Sequence, residues 1–414
     1  MKTVLHECYS LLRAGDSANA EAVARNWLAK EPDSPQFHSA LGISLFRQGR
    51  ASDAVAAVLK ARRKDASNKN YFNQYCEYLN VAGLSAEAEV EARSALKEDP
   101  MSADFHFQLS RALGRLHRID EAISSAKRAV ELRQSDAVLH AHLGNLLAKS
   151  DQLSEAEAEF RAALKIDPKS VEIIASLSHV LARQKKIDEA LNLASEANQC
   201  EPSNQAYLLH LGNLLNQTGG YVEAERHLTA AIQSTPESGP LNFVLSHALA
   251  RQGKTSEAIQ AAQSALRNEP SNSQWHAHLG NLLSKAGAFA EAEIAFRKAI
   301  SLDPDFAEAH NNLAQVVAKA GRINEALELT RKAIVLAPND SRYEKNLHSL
   351  LADNKSNHEH SDGKDDGVAP ANLANSSAQQ IEATGIRDPD VAELKLNNGA
   401  SVGKKRSWLG RLFS

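Results

Sequence analysis

Apolar and polar positions along this chain repeat every 34 residues, and within each period the apolar ones fall at the i, i+3, i+4, i+7 spacing of an amphipathic helix face. Alanine marks the period without insertion or deletion: Ala20, Ala54, Ala88, Ala122, Ala156, Ala190, Ala224, Ala258, Ala292 and Ala326. With residue 1 as frame position 1, these hold position 20. Position 27, two turns along the same face, is Ala61, Ala95, Ala129, Ala163, Ala197, Ala231, Ala265, Ala299 and Ala333, with Trp27 the exception. Two small side chains on one stripe let a neighbouring helix approach closely. Position 8 supplies a matching hollow with Gly42, Ser110, Gly144, Ser178, Gly212, Ser246, Gly280 and Ala314, while leucines such as Leu143 and Leu147 supply knobs. Glycine at position 15 (Gly15, Gly49, Gly83, Gly219, Gly253, Gly287, Gly321) can end a first helix in the left-handed region. Ser52, Asp120, Ser154, Asp188, Ser256 and Asn324 at position 18 predict caps for a second helix. Proline closes most periods at position 32. Each period therefore predicts helix, turn, helix, turn, and ten in tandem predict an all-α solenoid.

Read in order, the ninth period runs His276, Leu279, Gly280, Leu283, Ala292, Phe296, Ala299, Pro304. This series resembles the tetratricopeptide repeat, and the resemblance extends over residues 1–340 as ten repeats. It implies a right-handed superhelix of paired helices with a concave groove lined by the first helix of each pair. Ala66 and Gln134 depart from the pattern at the closing proline, and His117, Asp151 and Lys185 at the turn glycine. Those joints are expected to be softer or differently angled.

If the first helices line a groove, positions 2, 6, 9 and 13 form one continuous face opposite the packing positions. Position 13 is cationic at Arg115, Lys149, Arg183, Arg251, Lys285 and Lys319, and position 9 carries Arg111, Asn145, His179, Asn213, His247, Asn281 and Gln315. A repeated amide beside a repeated cation suits an extended polypeptide, whose backbone the amide can bond and whose carboxylates the cation can meet. The family's chaperone-binding carboxylate clamp needs lysine at position 5, where this chain has Ala141, Ala175, Leu209, Phe243 and Ala277. The asparagine run is more similar to the repeat region of the O-linked N-acetylglucosamine transferases. Their catalytic region has no counterpart in the residues after Ala352, so an associated enzyme would be another chain.

A second period of 68 residues lies inside the first: His-Leu-Gly-Asn-Leu-Leu recurs at 142–147, 210–215 and 278–283. It places His142, His179, His210, His247 and His278 on the polar face of five successive repeats. In the geometry the resemblance implies, position 9 of one repeat nears position 6 of the next, which brings His179 towards His210 and His247 towards His278. Neighbouring imidazoles titrating near pH 6 to 6.5 would make binding pH-dependent in that range. No carboxylate or thiol completes a metal site there.

Composition alters this picture little. The net charge is −4 and aromatics are 5%, as suits many small helix contacts rather than one large core. Cys8, Cys76 and Cys200 have no metal spacing and imply no disulfide framework, consistent with a reducing, cytoplasmic setting. His6 and Glu7 fall where a secretion signal would need apolar residues, and no stretch is apolar enough to span a bilayer.

Residues 341–352 predict a capping helix, with Tyr343, Leu347, Leu350 and Leu351 covering the last repeat. Residues 353–402 have too few large apolar groups to offset ordering entropy and predict a disordered linker. Residues 403–414 form a basic amphipathic segment in which Lys404, Lys405, Arg406 and Arg411 surround Trp408, Leu409, Leu412 and Phe413. It could meet an anionic membrane surface, a partner, or the chain's own groove.

The leading expectation is a noncatalytic scaffold that holds extended segments of other proteins. The alternatives are a peripheral membrane adaptor held by its C-terminus at the inner face of a membrane, or a regulatory or targeting subunit of a separate enzyme such as a glycosyltransferase. No phosphate loop, nucleophile constellation or zinc motif stands outside the repeat, and no cofactor is implied. Negative net charge and few aromatics argue against nucleic acid.

Overall fold

The structure, a computed structural model, describes the backbone of residues 2–361 and side chains as far as residue 352. Among the described residues the only regular elements are α-helices. They form two compact parts, Met1–Ser234 and Thr235–Ser414. In the first part seven helix pairs follow one another: α1 (Lys2–Arg13) and α2 (Ser17–Leu28), α3 (Pro35–Arg47) and α4 (Ala51–Lys64), α5 (Lys69–Val81) and α6 (Ser85–Glu98), α7 (Ala103–Arg115) and α8 (Ile119–Leu132), α9 (Ala137–Lys149) and α10 (Leu153–Ile166), α11 (Val171–Arg183) and α12 (Ile187–Cys200), α13 (Gln205–Thr218) and α14 (Tyr221–Ser234). In the second, α15 (Gly239–Arg251) and α16 (Thr255–Asn268), α17 (Ser273–Lys285) and α18 (Phe289–Leu302), and α19 (Ala307–Lys319) and α20 (Ile323–Leu336) precede a terminal α21 (Ser341–Ser361). Helix α21 packs on α20 and runs on beyond residue 352; the first glycine after it is Gly363, so no breaker intervenes.

The alanine stripe sits where the pairs are tightest. Every position-20 alanine is fully buried, as is position 27 at Ala61, Ala163, Ala265, Ala299 and Ala333. Position 8 is filled according to position 24 on the second helix. A Cβ added to Gly42 would lie 2.3 Å from Val58, at Gly144 3.1 Å from the Phe160 ring, and at Gly280 2.8 Å from the Phe296 ring. Where position 8 is Ser110, Ser178 or Ser246, position 24 is Ala126, Ala194 or Ala262. Large meets nothing, and small meets small. Cys8 and Cys76 fill the same slot and are buried, with desolvation pushing the Cys76 thiol up to about 12; Cys200 is exposed.

The turns correct two expectations. In all ten repeats the position-16 N–H bonds the position-11 carbonyl at 2.8–3.0 Å, closing the first helix in a Schellman turn. The chain then enters the second helix at once, so its N-cap is position 16; the side chain caps there at Asp16, which accepts from the Asn19 N–H, but not at Arg50, Arg118, Gln152, Lys186, Lys254 or Arg322, and position 18 already lies inside the first turn. Nor are the glycine-less joints differently angled. His117, Asp151 and Lys185 adopt φ of 60°, 62° and 64°, the left-handed region that the turn glycines occupy at 79–85°. The hydrogen bond imposes the conformation, and the side chain bears the strain.

Between repeats, His38, His106, His276 and His310 each donate from Nε2 to the carbonyl of the closing proline six residues earlier, at 2.7–3.0 Å. His140 does the same to Gln134 at 3.0 Å. The carbonyl rather than the proline ring is what is held, so Gln134 serves equally.

Candidate functional site

Neighbouring first helices touch within each part: α1 on α3, α5 on α7, α9 on α11, α11 on α13, and α17 on α19. Their outward positions 9 and 13 therefore form a shared surface in each part. In the first part Arg115, Lys149, Arg183 and Asn213 are exposed there, and Arg111, Asn145, His179 and His210 are half-buried. In the second, Arg251, His247, Asn281, Lys285, Gln315 and Lys319 are exposed and His278 is half-buried.

His210 and His278, with His142, belong to a link that the sequence reading missed. Ser110 donates to the Ala122 carbonyl (2.7 Å) and receives Nε2 of His142 (2.9 Å). Ser178 repeats this with Ala190 (2.6 Å) and His210 (2.8 Å), and Ser246 with Ala258 and His278 (both 2.9 Å). Because each serine proton is committed to a carbonyl, each imidazole must donate from Nε2, which leaves Nδ1 a bare acceptor. The 68-residue period had been visible only as duplication; it is the spacing at which a position-8 serine meets a position-6 histidine of the following repeat.

Each linked imidazole is also covered by a ring. Phe107 lies edge-on to His142 with centroids 5.0 Å apart; His179 lies 3.6 Å from His210, and His247 3.9 Å from His278. The expected approach of positions 9 and 6 is thus present. The expected titration near pH 6 to 6.5 is absent at the linked imidazoles. Burial pushes His142, His210 and His278 down to about 3, with Arg111 and Lys149 adding to the effect at His142, His179 at His210 and His247 at His278. Those three folded imidazoles therefore stay neutral through pH 6, and burial shifts His179 and His247 downward as well.

The position-13 cations divide into two kinds. Arg183 reaches back to the Ala148 carbonyl (2.6 Å) at the end of α9 and to Asp151 (2.8 Å), and Arg47 likewise donates to the Leu12 carbonyl at the end of α1. These arginines satisfy the orphan acceptors of the preceding first helix. Lys319 instead rests 4.6 Å from the Phe289 ring. At position 9, Asn281 accepts from Asn312 at 2.9 Å, a position-9 to position-6 contact like that of the histidines.

The second helices carry a different lattice. Glu157 bonds Arg161 (2.9 Å) and Lys186 of the next repeat (2.7 Å), and Arg161 goes on to Glu189 (2.6 Å). Glu89, Arg93, Arg118 and Glu121 repeat the arrangement, as do Glu293, Arg297, Arg322 and Glu325. Three odd-to-even joints are held by these networks, and three even-to-odd joints by serine and histidine.

Two family models, both described as Tetratricopeptide repeat, match the chain, one at residues 8–69, 107–171 and 243–305, the other at 147–214 and 283–352. The chain belongs to the tetratricopeptide repeat family. Among solved structures it is similar to a tetratricopeptide repeat protein of Parabacteroides merdae, at 17% identity over 60% of this chain and 98% of that one, with a TM-score of 0.51. A thermophilic repeat protein of Thermus thermophilus matches at 21% identity over 44% of this chain and 99% of that one, with a TM-score of 0.40. The structure of MamA matches at 22% identity over 40% and 98%, with a TM-score of 0.37. No curated protein matches. No helix among the described residues is long and apolar enough to cross a membrane. The linker of residues 353–402, apart from the end of α21, and the segment with Lys404, Lys405, Arg406, Trp408, Leu409, Arg411, Leu412 and Phe413 lie outside the described residues.

Proposed function

We propose that this tetratricopeptide repeat protein is a noncatalytic scaffold, and that the first-helix face of each part receives an extended segment of another protein. One observation carries the reading: position 9 offers an exposed amide in each part, Asn213 on α13 in the first, where α13 touches α11, and Asn281 and Gln315 on the touching helices α17 and α19 in the second. Such amides can both donate to and accept from a peptide backbone, so they grip without demanding a sequence. The bare Nδ1 acceptors of His210 and His278 add to this, since an imidazole held neutral accepts N–H donors across the physiological range.

A photo-cross-linking residue at Asn213 or Asn281 tests the reading against one at Val90 or Ile294, which are exposed on second helices. Client proteins trapped from the first pair of sites and not the second are the expected result. Trapping from the second pair alone would move the binding surface to the other face.

A further inference from the structure

We infer that the face shared by α7 and α9 is an anion subsite that takes a glutamate or aspartate side chain of the bound segment, with Lys149 and Arg111 as its reading groups. The inference rests on the extended-segment reading above and names what that segment carries at one place.

The charges around this spot do not balance. Arg111 and Arg115 come from α7 and Lys149 from α9, and α9 has no acidic residue. The one acidic residue of α7, Asp104, is taken by Arg133 of the same repeat at 3.0 Å. From α5, Glu77 reaches Arg111 only at 3.7 Å, while the Arg111 guanidinium stays over the Phe107 ring at 5.6 Å. From the turn after α9, Asp151 is held by Arg183 of α11 at 2.8 Å. Arg115 has an interaction of its own. Lys149 meets no carboxylate among the described residues. Its ammonium is pulled below the ordinary lysine range by burial and then by Arg115, with no acid to restore it. The neighbouring His142 cannot relieve the field, because its Nε2 proton is committed to Ser110 and it remains neutral.

A lysine head that feels a second cation and has no carboxylate partner is an arrangement that an incoming carboxylate would relieve. Half-buried Asn145, one turn before Lys149, offers the amide that would hold the backbone on which that carboxylate is borne. By contrast Arg183, also at position 13, already spends its donors on Ala148 and Asp151 and is not a reading group.

The test uses the full chain and two labelled synthetic peptides, one of alternating Glu and Gly and one of alternating Gln and Gly, with binding read by fluorescence anisotropy. Lys149→Gln and Arg111→Gln should each weaken the Glu peptide about ten-fold and leave the Gln peptide unchanged, as loss of one charge-assisted bond requires. Lys165→Gln, an exposed lysine on α10, controls for net charge and should change neither. Thermal melting of the variants checks that the fold is retained. If both peptides bind the wild type and Lys149→Gln leaves the Glu peptide unaffected, the subsite is wrong while segment binding stands. If neither peptide binds the wild type, the extended-segment reading fails, and the subsite with it.

Discussion

Exchanging the partners at positions 8 and 24 tests whether each helix pair is fitted as a local jigsaw. Gly280→Ala places a Cβ 2.8 Å from the Phe296 ring, closer than side chains tolerate, so the ring or α17 must move. Overpacking of this kind costs about 1–3 kcal/mol, against a gain of about 1 kcal/mol for replacing glycine inside a helix. Gly280→Ala should therefore be destabilising by about 0–2 kcal/mol, the net of those two terms. Phe296→Ala alone empties a fully buried ring site and should cost about 3–5 kcal/mol. Gly280→Ser with Phe296→Ala recreates the pairing of Ser178 with Ala194 and of Ser246 with Ala262, including a hydroxyl placed to donate to the Ala292 carbonyl. The double variant should then be more stable than the sum of its single changes by about 1–2 kcal/mol. Because repeat arrays lose stability locally, the assay is urea unfolding combined with hydrogen exchange of α17 and α18. Additive costs, with no coupling, would refute the jigsaw.

Other changes have definite signs. His142, His210 and His278 ordinarily titrate near 6.5 but only at about 3 when folded, so below pH 6.5 the unfolded chain takes up protons that the folded chain refuses. Stability should be full above that value and fall as pH drops, by about 2 kcal/mol per imidazole at about pH 5; His210→Gln should shallow the dependence of the urea midpoint on pH, and an unchanged slope would count against the burial argument. Lys185→Gly removes a side chain from the left-handed region at φ 64° and should raise stability by about 1 kcal/mol, measured by thermal melting. Asp151→Gly should gain less because it also removes the partner of Arg183. Ala190→Leu, at a fully buried stripe position, should cost about 1–3 kcal/mol, and an unaltered melting curve would mean that the packing register is misplaced.

The helix pairs were legible because their determinants are local and repeated: a buried alanine every 34 residues, a left-handed turn, a closing carbonyl. The exchange between positions 8 and 24 was legible too, as Gly280 with Phe296 against Ser246 with Ala262, but only once the structure showed which second-helix position faces the hollow. The roles of the polar face were harder to read. Arg183 and Lys149 look equivalent in sequence, and what separates them is a backbone carbonyl at the end of the preceding helix, an acceptor that has no side chain and leaves no trace in composition. The histidines were found in the right places with the wrong chemistry, since adjacency suggested mutual repulsion near neutrality while burial against Ser178 and Ser246 moves their titration far lower. The cap expected at position 18 failed because the turn hydrogen bond, rather than a side chain, starts the second helix.

The account holds that Arg183, like Arg47, joins one repeat to the one before it, while Lys149 remains for a ligand. Thermal melting of Arg183→Gln beside Lys149→Gln tests this most directly. Arg183→Gln should lower stability by about 1–3 kcal/mol, because the Ala148 carbonyl and Asp151 lose their donor, and Lys149→Gln should leave it unchanged or raise it. The reverse order, with Lys149 structural and Arg183 dispensable, would contradict the account.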